Sequence, residues 1–409
     1  MSPLIPSQSI AANVGKVTSA ISPKLDVNEI GLSTMALKGI TVLELGGLAP
    51  SQFCGHILKD FGAKVIRIDK VGHVGPHEQF LGNGKKSVSI NLKRPQGRDV
   101  LKKLCIKSDV LIEPFRAGVM EKLGLGPGVL MDKNDKLIYA RLSGFGQVGE
   151  LSKSAGHDIN FLALSGVLSL LGWRGKHPIP PCNILGDFAA GSVLCALGIV
   201  MALFERTRSG KGQVVDLSIT RGCSYLASWI LATKDSLWSD QRGHNLLDGG
   251  AYLYNTYETK DGKWMAVGAL EKKFYDNVLI GLGLKEEDCP HFSENGFSIF
   301  TKIFKEKTQN DWIKIFKNLD ACVTPVLSLE ESINSRLEDF TTKSNTPLPL
   351  PLPEPRLHPS FDNSHPTSYV SPMVGEHTEA VLLETGFSKA EIQHLVEQNI
   401  VYLSQKSKL

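Results

Sequence analysis

The sequence predicts an α/β fold: a parallel sheet flanked by helices, then a smaller unit that opens with a β-hairpin. Three observations carry this. Short β-rich runs alternate with helical stretches from Ile40 to about Gly146, the pattern of a parallel sheet. The longest apolar run, Phe188 to Phe204 (FAAGSVLCALGIVMALF), is shorter than the ~20 residues of a membrane-spanning helix. Its Ala, Gly, Ser and Cys suit a core helix with close neighbours, so no membrane span is expected. Finally, Asp261-Gly262 stands between two runs of β-formers, a strong hairpin signal.

The organised chain begins at Met35-Ala36-Leu37-Lys38-Gly39. Residues 1–34 are rich in Ser, with two lysines before any acid and no Arg; they read as a disordered extension or a weak mitochondrial leader. From Ile40 come a strand (ITVLEL), a turn (GGLAPSQF), a helix (CGHILKDFGA) and a strand (VIRID). VSINL, a helix from about Arg98 to Lys107, DVLIEPF and KLIYARLSGFG continue the alternation. Ligands of such sheets bind beyond the carboxyl ends of the strands, so GGLAP, EPFRAG and SGFGQ are candidate binding loops. Beyond the core helix, ERTRSGKGQ is a polar turn into a strand, VVDLSI. The hairpin AYLYNTYETKDGKWMAVGA and the helical stretches FYDNVLIGLGL and FTKIFKEKTQNDWIKIF build the smaller unit. Proline is dense from Thr346 to Pro359, which favours an extended connector. GEHTEAVLLETGFSKAEIQHLVEQNIV then reads as helix, Gly-containing turn, helix. The expected divisions are 1–34 (extension), 35–225 (large domain), 226–345 (small domain), and 346–409 (connector and helices returning to the large domain).

Composition narrows the function. Across 409 residues, 45 Lys+Arg against 42 Asp+Glu leave a formal charge of +3, with no basic field for nucleic acid. Seven cysteines, an odd number without a C-x-x-C pair, read as buried reduced thiols and not as disulfides or a zinc site. ELGGLAPSQF does not match G-x-G-x-x-G, and GNGKKS at Gly82–Ser87 lacks P-loop spacing, so neither NAD nor ATP is expected. Ser407-Lys408-Leu409 matches the peroxisomal import address and implies an import receptor as partner.

Three places combine a titratable residue with an element end. His157 and Asp158, in SAGHDINF, sit at or just before a helix N-terminus, where free N–H groups and the dipole favour negative charge. A plain cap by Asp158 and a satisfied loop histidine account for the same residues. Asp187 opens the most apolar helix between Leu185 and Phe188. Desolvation there raises its proton affinity and the dipole lowers it, so the net direction stays open; a first-turn Asp is also common for capping alone. Glu271 ends a predicted hairpin strand, where a solvated Glu is unremarkable. Spacing does not show that the three converge.

At these same residues the chain resembles the α-methylacyl-CoA racemases of the family III CoA-transferase superfamily. The likeness runs from about Met35 to the C-terminus through MALKGITVLELGGLAPSQFC, DFGAKVIRID, EPFRAGVMEKLGLGP, LIYARLSGFGQ, AGHDINFLALSGVLS, ALGIVMALFERTRSGKGQV, LLDGGA, MAVGALE and DACVTPVL. It implies an interlocked homodimer of chains with a Rossmann-like large domain and a smaller domain. The active site would lie between the large domain of one subunit and the small domain of the other. It also implies His157 and Asp187 as the two catalytic bases and Glu271 as the residue orienting the histidine. CoA contacts carry over to Lys70, Ile90, Asn91, Leu92, Lys93, Arg116 and the loop of Gly156, Asp158, Ile159, Asn160 and Phe161. The implied reaction is inversion of a 2-methyl-branched acyl-CoA in branched-chain fatty acid and bile-acid intermediate metabolism; the C-terminal address points to the peroxisome, and the leader reading of residues 1–34 adds the mitochondrion as the second option. No separate cofactor or metal is implied, CoA being part of the substrate. Lys70 stands where the family pattern has Arg, and Asn91 where it has Asp; the loop from Gly72 to Gly82 is one residue longer. Transferases of the superfamily use the Asp at position 158 as nucleophile and usually carry an aromatic residue before it, where this chain has His157. A non-catalytic acyl-CoA-binding protein is the further alternative.

Overall fold

The computed structural model describes residues 35–72, 81–332, 354–355 and 371–404. The N-terminal 1–34, the Ser407-Lys408-Leu409 address and all of the proline-rich stretch but Glu354 and Pro355 lie outside the described residues.

The first strands are β1 (Thr41–Leu45), β2 (Lys64–Asp69), β3 (Lys86–Ile90), β4 (Val110–Glu113), β5 (Ile138–Ser143) and β6 (Val214–Ser218). Helices α1 (Ala49–Asp60), α2 (Pro95–Ile106), α3 (Val119–Lys122), α4 (Pro127–Lys133) and α5 (Asp158–Leu164) fall between or after them. The sheet runs β3-β2-β1-β4-β5-β6, all parallel, the order of a Rossmann-like sheet. The chain leaves β1 toward β2 and β3, then crosses back to place β4 on its other side. A cleft therefore opens between the loops that follow β1 and β4. One strand breaks the predicted parallel pattern. Val401–Tyr402, β10, pairs antiparallel with β3 at the edge; two residues give too short a run to register as a strand in sequence.

Apolar alternation along each strand fills both faces. Leu43, Leu45, Ile66, Ile68, Val88 and Ile90 pack on α2 and on the C-terminal helices; Val42, Val65, Val110, Ile112, Ile138 and Ala140 pack on α1 and on the long apolar helix. That helix is continuous from Ile184 to Ser209, and by length and composition alone it could cross a membrane. It begins as a π-helix, Ile184–Val193, and continues as α6, Leu194–Ser209. One face packs against the sheet through Ala190, Cys195, Ile199 and Ala202. The other is not buried as expected: Leu197, Val200, Met201 and Phe204 are exposed.

After α7 (Ile219–Leu226) and α8 (Ser228–Ala232), β7 (Tyr254–Glu258) and β8 (Trp264–Gly268) form the hairpin. Its loop is three residues long: the Thr259 N–H donates to the Lys263 carbonyl and Gly262 takes φ +73°, the turn that needs glycine at its last position. A third strand, β9 (Val323–Val326), joins β8 antiparallel. Helices α9 (Lys272–Leu282), α10 (Gly296–Phe304) and α11 (Gln309–Phe316) close an aromatic core of Tyr257, Tyr275, Phe300, Phe304 and Trp312 over this sheet. The last helices, α12 (Thr378–Thr385) and α13 (Lys389–Glu397), are separated by Gly386 at φ +98°. They return Val381, Leu382 and Ile392 to the large sheet.

Three local expectations change. Helix α1 starts at Ala49, inside the predicted turn, because Pro50 suits a first helical turn. Helix α2 likewise starts at Pro95, three residues before the predicted Arg98. Of the seven thiols, Cys182 and Cys322 are exposed and the other five buried.

Candidate active site

A cavity of about 360 Å³ lies where the strand order reverses. It is lined by Gly47, Leu48, Pro50 and Ser51 after β1, Pro114 to Arg116 after β4, and Leu142 to Phe145 at the end of β5. The three loops singled out in the sequence thus meet at one place. Ser154 to His157, Phe161, Asp187 and Ile219 complete the wall. His157 and Asp187, 30 positions apart in the chain, reach the same cavity.

Local structure places each. His157 is the N-cap of α5 with extended backbone (φ −126°, ψ 176°), and its N–H donates to the Asn160 side-chain oxygen at 3.0 Å. Its ring is therefore held outside the helix, beside the first-turn N–H groups that lack intrahelical acceptors. Gly156 lets this loop lie against two rings: a Cβ there would be 2.8 Å from both Phe145 and Phe161.

Asp187 lies in the first turn of the π-helix, a rare i→i+5 geometry often found at functional sites. The Ser192 hydroxyl lies 3.0 Å from the Asp187 carbonyl oxygen and 2.8 Å from that of Pro50, tying this turn to α1. The question left open by sequence, which way the Asp187 carboxyl shifts, is decided by its surroundings. Burial raises it first and the Asp158 charge second, while Asn183 and His157 act in the opposite direction; the result is about 6. That is close to the ordinary range of an imidazole.

Asp158 is buried, and its Oδ2 accepts the Asp187 backbone N–H at 2.8 Å. It does not line the cavity. Gly186 permits this approach, since a Cβ there would stand 2.4 Å from Asp158 Oδ2. Gly186→Ala is expected to displace the carboxylate and shift Asp187. Loss of kcat on the order of 10–100-fold with KM little changed is the outcome, read by steady-state kinetics on the folded variant.

Of the implied CoA residues, Arg116 lines the cavity and is exposed. Its loop is braced by Glu113, which accepts the Phe115 N–H at 2.9 Å and Arg141 Nε at 2.7 Å. Gly156 and Phe161 are in the wall, whereas Ile159 and Asn160 are exposed on α5 outside it. Lys70 and Lys93 are exposed just past β2 and β3, on the same rim of the sheet but beyond the cavity. Asn91 accepts the Lys93 N–H, and Leu92 packs partly on the core. Ile90 turns its side chain into the core. Glu271 is the exposed N-cap of α9 on the small sheet's layer and does not line the cavity of its own chain. Asp158, Ser192 and Gly186 were not legible as supports of Asp187, because they matter only once α5, α1 and the π-helix are packed together.

The family model for CoA-transferase family III matches residues 37–378. The chain belongs to that family. This family III chain is 51% identical over 382 residues to the α-methylacyl-CoA racemase of Mus musculus, covering 90% of this chain and 98% of that protein. It is 50% identical over 386 residues to the α-methylacyl-CoA racemase of Homo sapiens, with the same coverage. Among solved structures, a CAIB/BAIF family protein from Brucella suis superposes with a TM-score of 0.70 at 22% identity, covering 86% of this chain and all of that one. That likeness establishes the fold of the family III chain.

Proposed function

We propose that the chain interconverts the epimers of 2-methyl-branched acyl-CoA thioesters by two-base α-proton transfer. The observation that carries this is the presence of His157 and Asp187, two side chains that can take and return a proton, in one cavity. Identity of about half to α-methylacyl-CoA racemases over nearly their whole length supports it.

Inversion removes a proton from one face of C2 and returns one to the other. One base starts unprotonated and the other carries the proton. The active enzyme therefore holds one proton between His157 and Asp187. An aspartate at its ordinary pKa would almost never be the proton carrier; one raised to about 6 is. Removing the weakly acidic α-proton places charge on the thioester oxygen, and the N–H of Asp158 at the start of α5 is the donor we assign to it. A positioned base contributes about 10²–10⁴-fold and an oxyanion donor about 10²–10³. Proton exchange moves no electrons and so needs no redox group. Arg116, Lys70 and Lys93 hold the anionic part of CoA along the rim. Glu271 of a second copy reaches His157 in the proposed homodimer. Delivery to peroxisomes through Ser407-Lys408-Leu409 belongs to the same proposal.

The transferase alternative needs Asp158 as an exposed nucleophile. Burial of its carboxylate against the Asp187 N–H supports proton transfer instead. In D2O, both epimers of a 2-methylacyl-CoA are expected to gain one deuterium at C2 while interconverting. Exchange of labelled free acid into the thioester, with hydrogen retained at C2, would establish a transferase.

A further inference from the structure

We infer that Asp158 is a positioning residue for Asp187, gripping its backbone through one carboxylate oxygen and setting the negative charge beside its carboxyl. This rests on the two-base reading above and extends it to a side chain that touches neither thioester nor CoA.

The geometry is specific. Asp158 is 6% exposed, and one of its carboxylate oxygens accepts the Asp187 N–H at 2.8 Å. The other, Oδ1, is buried with no hydrogen-bond partner among the described residues. A buried carboxylate oxygen without a donor is costly and needs an explanation. A simple helix cap would not incur that cost, because water at an exposed end satisfies both oxygens. Glycine at position 186 keeps room for the close approach. The arrangement maintains a second negative charge beside a catalytic carboxylate, which disfavours ionisation of its neighbour.

The groups facing Asp187 leave Asp158 as the distinctive one. His157, at the start of α5, and Asn183, on the π-helix itself, both favour the ionised form. From α7 comes Cys223, a buried thiol pushed up to about 11 by burial, with both aspartates adding to the rise. From α1 come Pro50, Ser51 and Phe53; the titratable His56 stacks on Phe53 and pairs with Asp60. From α6, Cys195 interacts with the Cys54 thiol. From the end of β5 comes uncharged Ser143. Among the described groups that act on the Asp187 carboxyl, Asp158 alone carries a like charge.

Asp158→Asn tests this, since the amide oxygen can still accept the Asp187 N–H while the charge is gone. The acid limb of kcat/KM reports the pH at which both bases become protonated. Without the neighbouring charge Asp187 holds its proton less tightly, so this limb moves to lower pH. The fraction of enzyme with the proton on Asp187 falls, and kcat/KM declines equally in both directions because the equilibrium between epimers is unchanged. KM for the thioester stays within about twofold. Asp158→Ala removes grip and charge together, and should show the same displacement of the limb with a larger loss of kcat. The probe is a medium-chain 2-methylacyl-CoA followed by deuterium exchange from pH 4.5 to 8. A wild-type acid limb in either folded variant overturns the inference. Absence of C2 exchange in the wild-type enzyme would instead overturn the two-base reading.

Discussion

Replacing Asp187 by Asn is expected to stop epimerisation while leaving one half of the exchange chemistry intact. His157 remains in the cavity and can still take the α-proton of the epimer that presents it. The enolate is then reprotonated on the same face, so that epimer gains solvent deuterium without inverting. His157→Ala should give the mirror result, with exchange confined to the other epimer through Asp187. Each variant should lose ~10²–10⁴-fold in the rate of inversion. Chiral separation of products formed in D2O reads both quantities at once. Inversion at the wild-type rate in either variant would remove that residue from the two-base assignment. Loss of all exchange from both epimers in a single variant would point to one base serving both faces. The expectation follows from two different acid–base groups sharing the wall of one cavity, with Asp187 raised to about 6.

The second large effect concerns stability. Lys85, just before β3, and Glu44, on β1, are fully buried, with Nζ 2.6 Å from Glu44 Oε2 and 2.8 Å from the Gln52 carbonyl oxygen. Burial pushes the glutamate's pKa up and the lysine's down, while each opposes the shift of the other. Lys85→Met would leave Glu44 without its counter-charge in a site too tight for water to enter freely. Gly55 of α1 packs so closely that a Cβ would fall 1.9 Å from Glu44 Oε2. Removing one partner of such a pair costs about 3–5 kcal/mol. Replacing both, as in Glu44→Leu with Lys85→Met, should recover most of the loss, since a well-packed apolar pair avoids the desolvation cost. Denaturant unfolding of the two variants beside the wild type measures this. A single variant as stable as the wild type would show that the pair does not hold this region. Because Lys85 also holds the Gln52 carbonyl, beside Ser51 in the cavity wall, the single variant should lose activity before it unfolds.

Much of the scaffold could be read from local pattern. β1, β2, β4 and β5 appear as apolar runs because both faces of their sheet are covered, and the Asp261-Gly262 hairpin because its turn requires left-handed backbone at Gly262. His157 was legible as the residue at a helix start, since Ile159, Leu162 and Ala163 follow at helical spacing. The helix starts at Ala49 and Pro95 were missed because apolar periodicity begins later than the backbone helix does. The π-helix under Asp187 had no signal in residue type. Its geometry depends on Ser192, Pro50 and Asp158, which come from three elements.

By itself the sequence determined a parallel α/β sheet, the loops at its carboxyl ends, the helix start that carries His157 and the acid at the head of the apolar helix. Those are consequences of spacing and backbone preference over a few consecutive residues. Only the tertiary structure decided that the strand order reverses at β1, that His157 and Asp187 share one cavity, and that the Asp187 carboxyl is raised and not lowered. The physical reason is that desolvation and the charge of Asp158 act through space. A carboxylate 29 positions away in the chain can set a proton affinity only after packing has buried both groups together.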